Sequence, residues 1–374
     1  MPTIREPRRG QRPVYAGAQS AHRGDGNLGL WYDKFCDQWQ IDSGHWSMQA
    51  DGNGNPKLAW IKQAGDKSGE RALLSEYTRR VIRLATARGG LVEVFVAESR
   101  FVTGLGRSHP VENGFAWHPT LGTPYLPGSS LKGLVRAWAT EQGSEDRKIE
   151  VERLLGGCSA GRVLFLDAIP VEPVRLEADV MTPHYAGWTP KEPPGDWRSP
   201  IPIPFLTAAA GTVLLVAILP ACADDASELE SVRVWLRQAF EFAGAGAKTA
   251  VGYGRFRPDS ARTAREVERV RAADHAAQEA RDREKAMATP EGRWRQTVAG
   301  ASEGDLLELV RRHLEADPLT DPVERAAFVQ AVRETRYPAL WRQGKKADPA
   351  VQTGERRLEQ LARLLPPEPH GERQ

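Results

Sequence analysis

Two apolar segments limit what this chain can fold into. Val163 to Ile169 is apolar on both faces and bounded by Gly161 and Pro170, and Val213 to Leu219 is apolar throughout. Runs of that length, flanked by turn residues, are central strands covered on both sides. A third β-rich run, Leu91 to Ala97, follows Gly89-Gly90, and a fourth ends near Phe256.

Helices fall between these strands. Leu131, Leu134, Val135 and Trp138 sit at i, i+3, i+4 and i+7 behind Pro127-Gly128-Ser129-Ser130, with the two serines as N-cap candidates. Leu229, Val232, Leu236, Ala239, Phe240 and Ala243 mark one side of a helix over 228–243. The order strand, helix, strand, strand, helix, strand predicts an α+β fold, the ferredoxin-like βαββαβ arrangement. Helical character also runs over Leu28 to Trp39 and Arg71 to Arg88. Residues 171–205 are rich in Pro and Trp and read as an insertion without regular structure.

The flanks differ in composition. Residues 1–26 are rich in Arg, Gly, Pro and Gln without periodicity and read as a flexible basic arm. Residues 258–290 alternate charges and read as a solvent-exposed helical linker. Residues 291–374 read as a helical extension with a capping box at Ser302 and Asp305, a Pro322 helix start and a last helix around Leu358, Leu361, Leu364 and Leu365. No stretch is apolar enough for a transmembrane helix. Cys36, Cys158 and Cys222 are too scattered for a disulfide framework, so a cytoplasmic setting is expected. With 51 Lys and Arg against 49 Asp and Glu, the net charge is only +2. Such a sum does not exclude nucleic acid, whose electrostatic footprint is a local patch.

Two segments concentrate cations among small residues. In the first, Gly128, Ser129, Ser130, Lys132 and Arg136 open a helix, and Lys132 and Arg136 share one face. A helix N-terminus with hydroxyls and cations is a phosphate cradle; it is equally a capped amphipathic helix with two solvated cations. The second runs Gly244-Ala245-Gly246-Ala247-Lys248-Thr249-Ala250-Val251-Gly252-Tyr253-Gly254-Arg255. Lys248-Thr249 suggests a P-loop, but Ala247 and Phe242 stand where that loop needs Gly. Gly252-Tyr253-Gly254 echoes the RNA-recognition strand motif, with Arg255 in place of its aromatic residue. The loop around Arg107, His109 and His118 lacks zinc spacing, and His118 is expected beside the Ser129 helix. Asp167 closes a strand, where it serves a turn or an ion pair more readily than acid–base catalysis. No metal or cofactor is expected.

Together the ordered strings NLGLWYDKF (27–35), HPTLGTPYLPGSSLKGLVR (118–136), GRVLFLDAIP (161–170), DVMTPHY (179–185), PIPFLT (202–207) and GAGAKTAVGYGRF (244–256) resemble the RAMP superfamily of CRISPR effector complexes. Within it they resemble the family of the sixth subunit of the type III-B, or Cmr, complex. The resemblance covers roughly residues 25–257, with the RAMP domain itself at 27–257, and implies an RRM-like, non-catalytic RNA-binding subunit. Such a subunit contacts guide RNA and target RNA near the guide 3′ end, beside other Cmr-type subunits, in antiviral defence. On that reading the RNA contacts are Arg107, His118, Gly128, Ser129, Ser130, Lys132, Arg136, Gly244, Gly246, Lys248, Thr249, Gly252, Tyr253 and Arg255. Trp188 and Trp197 of the insertion would wedge against bases or a neighbouring subunit, or pack locally. The competing reading is a RAMP-type endoribonuclease using His118 or His109 as general acid or base without metal. A third makes the helical extension a protein-docking module, its Arg311, Arg312, Arg333 and Arg336 equally able to meet RNA.

Overall fold

The computed structural model describes residues 26–42, 45–48, 55–65, 67–157, 160–183, 200–222, 228–313 and 319–335, with positions 356, 360 and 363. Trp188, Trp197, Cys158, Arg336, the basic arm up to residue 25 and the leucines of 358–365 lie outside them. Two compact units divide the chain, 1–270 and 271–374. Among the described residues no helix is long and apolar enough to cross a membrane.

In the first unit α1 (Leu28–Lys34) starts where the Asn27 side chain accepts the Leu30 N–H at 2.9 Å. It ends well before Trp39, because Phe35 leaves helical geometry with φ −110°. The short strands β1 (Gln40–Asp42) and β2 (His45–Ser47) pair antiparallel. Helix α2 (Pro56–Gln63) has an Asn55 cap and Pro in its first turn. Strand β3 (Lys67–Ser68) and helix α3 (Arg71–Ala87) follow. Then come β4 (Leu91–Ala97), α4 (Gly128–Glu141), α5 (Glu145–Leu155), β5 (Val163–Phe165), β6 (Ile169–Pro170), β7 (Val174–Met181), β8 (Ile203–Ala208), β9 (Val213–Pro220), α6 (Leu229–Gln238) and β10 (Phe256–Pro258).

The main sheet has the order β10-β4-β9-β5, with β6 also on β9, and every neighbouring pair is antiparallel. All eight residues of β9 are buried. Leu214, Val216 and Ile218 cluster with Leu131, Val135, Val232, Leu236 and Phe240 of the helices after β4 and β9. Val213, Leu215 and Ala217 meet Val81 and Ile82 of α3 and Val270. Alternating side chains point to opposite faces, so a strand buried at every position is covered on both. The covered second face removes the open surface on which RRM-type sheets stack bases.

Four sequence expectations change. The run Val163 to Ile169 is not one strand: it breaks between β5 and β6, where Asp167 leaves the sheet toward α4. A carboxylate there would be costly without a partner. The stretch 171–205 is not irregular at its ends, since β7 and β8 pair from Leu176↔Ala208 to Met181↔Ile203. Its polar residues Arg175, Glu177 and Asp179 mask the strand pattern, and Glu177 and Asp179 take tertiary partners in Arg100 and Tyr253. Helix α5, with Ser144 as N-cap, had no counterpart in the sequence reading. Finally, α7 (Ser260–Ala288) is not solvent-exposed along its whole length. Its first turns carry Val267 and Val270 onto the sheet, and Thr263 Oγ1 accepts the Val94 N–H at 2.9 Å.

The second unit contains α8 (Pro290–Gly300), α9 (Glu303–Arg311) and α10 (Pro322–Thr335). The capping box of Ser302 and Asp305 forms in both directions. Val298, Leu306, Val310, Phe328 and Val332 share a small core, and Trp294 Nε1 donates to Glu324 at 2.6 Å.

Candidate nucleic-acid interface

The helix α4 begins against the edge strand β5. A Cβ on Gly128 would stand 2.3 Å from the Phe165 carbonyl oxygen, so only glycine lets the helix start this close. The N-cap is Pro127, and neither Ser129 nor Ser130 caps through its side chain; both are exposed in the first turn. The capping carboxylate comes from Asp167, which accepts the Gly128 N–H at 2.7 Å. Ser130 N–H turns back to the Pro127 carbonyl at 2.9 Å. The cradle expected from the sequence is thus partly filled by a protein anion.

Lys132 and Arg136 share a cleft of about 380 Å³ with Ser129, Gly133, Gly156 and Gly161. Their roles differ. Arg136 donates to the carbonyls of Leu155, at 2.7 Å, and of Gly156, closing the C-terminal end of α5. Lys132 has no carboxylate partner among the described residues.

His118 sits beside α4 as expected. Its ring meets Tyr77 and Tyr125 edge-on at 5.3 and 5.5 Å, and its Nδ1 accepts the Leu121 N–H at 3.3 Å. Burial pushes its pKa below the usual value, with Asp167 pulling the other way. His109 is buried, stacked on Tyr32 at 4.6 Å. Its Nδ1 accepts the Val111 N–H and its Nε2 faces the Tyr32 carbonyl at 3.0 Å. Burial depresses its pKa to about 4, so the neutral imidazole is a core hydrogen-bonding group, not an accessible acid or base. Arg107 is exposed in a turn.

The glycine-rich segment lies at the other edge of the sheet, between α6 and β10. After α6 the chain makes a π-helical turn, Ala239–Ala243, then reverses with φ of +79° at Gly244 and +94° at Gly246. Ala245 N–H donates to Gly254 O, Ala247 N–H to Val102 O and Gly254 N–H to Arg100 O, at 2.7–2.8 Å. Lys248 holds φ +60°, unusual for a residue with a side chain, and starts a short 3₁₀ turn over Thr249–Val251. Its Nζ lies 5.3 Å above the Phe205 ring. Arg255 Nη1 is buried without a hydrogen-bond partner, and Nη2 reaches the Thr249 carbonyl at 3.5 Å. Neither cation has a carboxylate partner among the described residues. Neighbouring cations do: Arg100 binds Glu177 at 2.6 Å and Asp179 at 2.7 Å, and Arg175 binds Glu177 at 2.7 Å.

The two segments are therefore apart. One stands at β5 and the other at β10, separated by three strand spacings, about 14 Å. Their separation could not be read from the sequence, which gives no strand order. Nor did the sequence reading pick out Arg100 and Glu177. Asp179 takes a hydrogen bond from Tyr253 Oη at 2.5 Å. Among the described residues no three His, Cys, Asp or Glu side chains converge as a metal site would require.

Residues 94–257, which include both segments and run from within β4 to within β10, match the model of the RAMP superfamily. Over these residues the chain is similar to that superfamily. The chain is similar to the Cmr6 subunit of the CRISPR system of Pyrococcus furiosus, 29% identical over 43% of this chain and 66% of that protein. It is also similar to the Cmr6 subunit of Saccharolobus solfataricus, 34% identical over 20% of this chain and 26% of that protein. The chain thus spans just under two thirds and about a quarter of these relatives. Among solved structures, similarity extends to the type III-B Cmr-beta complex bound to cognate target RNA, with 22% identity, 55% of this chain, 71% of that chain and a TM-score of 0.45. The crystal structure of Cmr6 from Pyrococcus furiosus gives 25% identity, 46% of this chain, 97% of that chain and a TM-score of 0.30.

Proposed function

We propose that this chain is a non-catalytic RNA-binding subunit of a type III-B CRISPR (Cmr) effector complex. It contacts guide RNA, target RNA or both near the guide 3′ end, beside other Cmr-type RAMP subunits, and so serves antiviral defence. We take its sheet to be the ferredoxin-like core: strands β4, β5, β9 and β10 follow one another as βαββαβ and lie in the spatial order fourth, first, third, second. The observation that carries the RNA reading is the charge pairing at the glycine-rich loop. Among the described residues Lys248 and Arg255 have no carboxylate partners, while Arg100 and Arg175 are paired with Glu177 and Asp179. A cation without a carboxylate partner is suited to a phosphate, whose recognition is salt-sensitive and indifferent to sequence. Lys132 adds a second contact at the opposite edge of the sheet. The similarity to Cmr6 and the RAMP match agree with this reading.

The geometry around the histidines favours binding over cleavage, because His109 is locked in the core and His118 is wedged between two tyrosines. The test is RNA binding by the full chain, titrated at several salt concentrations. Lys248→Ala and Lys132→Ala should each weaken binding and lower the salt slope by about one. Unchanged affinity and slope in both would reject the contacts. Metal-free cleavage of repeat RNA that disappears in His118→Ala would replace this reading with the endoribonuclease. Residues 291–374 we assign to protein docking; a chain shortened to residue 257 that still joins the complex would refute that assignment.

A further inference from the structure

The glycine-rich loop carries positive φ at Gly244, Gly246, Lys248, Gly252 and Gly254. Such a backbone has many accessible states, and ordering it for a ligand is costly unless something fixes it beforehand. Its neck is fixed by the backbone bonds to Arg100 and Val102. Its tip is exposed, Val251 at 69%, and a Cβ on Gly252 would touch nothing within 4 Å. Tyr253 ties the tip to the neighbouring hairpin, its hydroxyl donating to Asp179 on β7, while Arg255 Nη2 reaches the Thr249 carbonyl from within the loop segment. Arg100 donates to the same carboxylate and to Glu177, two residues along the strand. The Tyr253 ring lies 6.1 Å from Phe205 on β8, the ring beneath Lys248.

We propose that Tyr253, Asp179 and Arg100 form a latch that holds the glycine-rich loop on the β7–β8 hairpin in its RNA-binding conformation. The inference rests on the RNA reading of that loop. Tyr253 is then a positioning residue, not an RNA contact: its polar end is committed to Asp179. The charges agree. Burial and Asp179 push the Tyr253 phenol up to about 12, so it remains a donor at neutral pH. Burial works to raise the Asp179 carboxyl, but bonds from Tyr253, Val180 N–H and Arg100 outweigh it and hold it below the usual range. With Arg100 neutralised by two carboxylates, the latch leaves Lys248 and Arg255 as the loop's cations for phosphate.

The test uses the full chain and a fluorescent single-stranded RNA, with Tyr253→Phe, Asp179→Asn, the double variant and Lys248→Ala. Amide hydrogen exchange over 248–253 is measured alongside. Tyr253→Phe removes only a hydroxyl, and an unchanged melting curve establishes that it folds. The latch predicts faster exchange at the tip and RNA binding weaker by at least about tenfold in each single variant, the size expected for losing one hydrogen bond to a charged group. The double variant should be no weaker than either single one, because both break the same link. The salt slope should stay that of the parent, since no phosphate contact is lost. Asp179→Glu should restore part of the affinity.

Unchanged exchange in Tyr253→Phe would overturn the latch. So would a salt slope lowered by about one, which would make Tyr253 a direct contact. Faster exchange with unchanged affinity would also overturn it, and Lys248→Ala then separates the two ideas. If Lys248→Ala weakens binding, the loop still holds RNA and only the latch fails; if not, the RNA reading of the loop fails too.

Discussion

Asp167 and Gly128 are 39 residues apart in the chain, yet the Asp167 carboxylate accepts the Gly128 N–H at 2.7 Å. This bond fixes the start of α4 to the break between β5 and β6. It also places a fixed negative charge at the positive end of the helix dipole, where a phosphate would otherwise be favoured.

Asp167→Ala should therefore destabilise the protein by about 1–2 kcal/mol, the usual cost of a lost N-terminal cap. Asp167→Asn keeps an acceptor and should cost less. It should also tighten RNA binding at low salt, because it removes a like charge from the approach to Ser129 and Lys132. Urea unfolding and an RNA titration on the same samples check both signs.

Arg136→Ala should lower stability by about 1–2 kcal/mol, since it strips two carbonyls at the end of α5 of their charged donor. Lys132→Ala should leave stability within about 0.5 kcal/mol. Comparing the two midpoints in urea separates the structural cation from the one free to meet RNA.

Glycine substitutions in the loop should divide sharply. A Cβ on Gly246 would lie 2.2 Å from the Val102 carbonyl oxygen, and one on Gly254 only 2.0 Å from that of Ala245. Gly246→Ala and Gly254→Ala should displace the loop and show large chemical-shift changes through Arg100–Val102. Gly252 has the same positive φ but open space around it. Gly252→Ala should cost only about 1 kcal/mol of backbone strain and leave the neck unmoved.

His109 makes stability depend on pH. Its pKa is about 4 when folded and near 6.5 when exposed. The unfolded chain therefore takes up the proton first as pH falls. The contribution of the neutral ring is complete above about pH 6.5 and is lost progressively as pH drops toward 4. The full loss is on the order of 3 kcal/mol. His109→Gln should be less stable at pH 7.5 but lose this share of the pH slope, as denaturant midpoints at several pH values will show.

Much of the element order was legible because it rests on local pattern. Val213–Pro220 is apolar at nearly every position, so it is a central strand wherever it is placed, and Leu131, Leu134, Val135 and Trp138 make a helix by spacing alone. The strands β7 and β8 were not legible. Arg175, Glu177 and Asp179 give β7 a polar half whose partners, Arg100 and Tyr253, come from far away in the chain.

Composition and spacing also located the two cationic segments and rejected a P-loop at Lys248, because those features depend on residue type and separation along the chain. Which cations remain unpaired depends on carboxylates and carbonyls that folding brings in from elsewhere. Arg136 and Lys132 look alike four residues apart, and only the arrival of the α5 carbonyls makes one a cap and leaves the other open. Tyr253 sits in a glycine-rich motif whose spacing says nothing of Asp179, which takes its hydroxyl. The tertiary structure likewise set the two segments at opposite edges of the sheet and covered its second face with α3 and α7. Strand order and layer packing are long-range choices that no local pattern encodes.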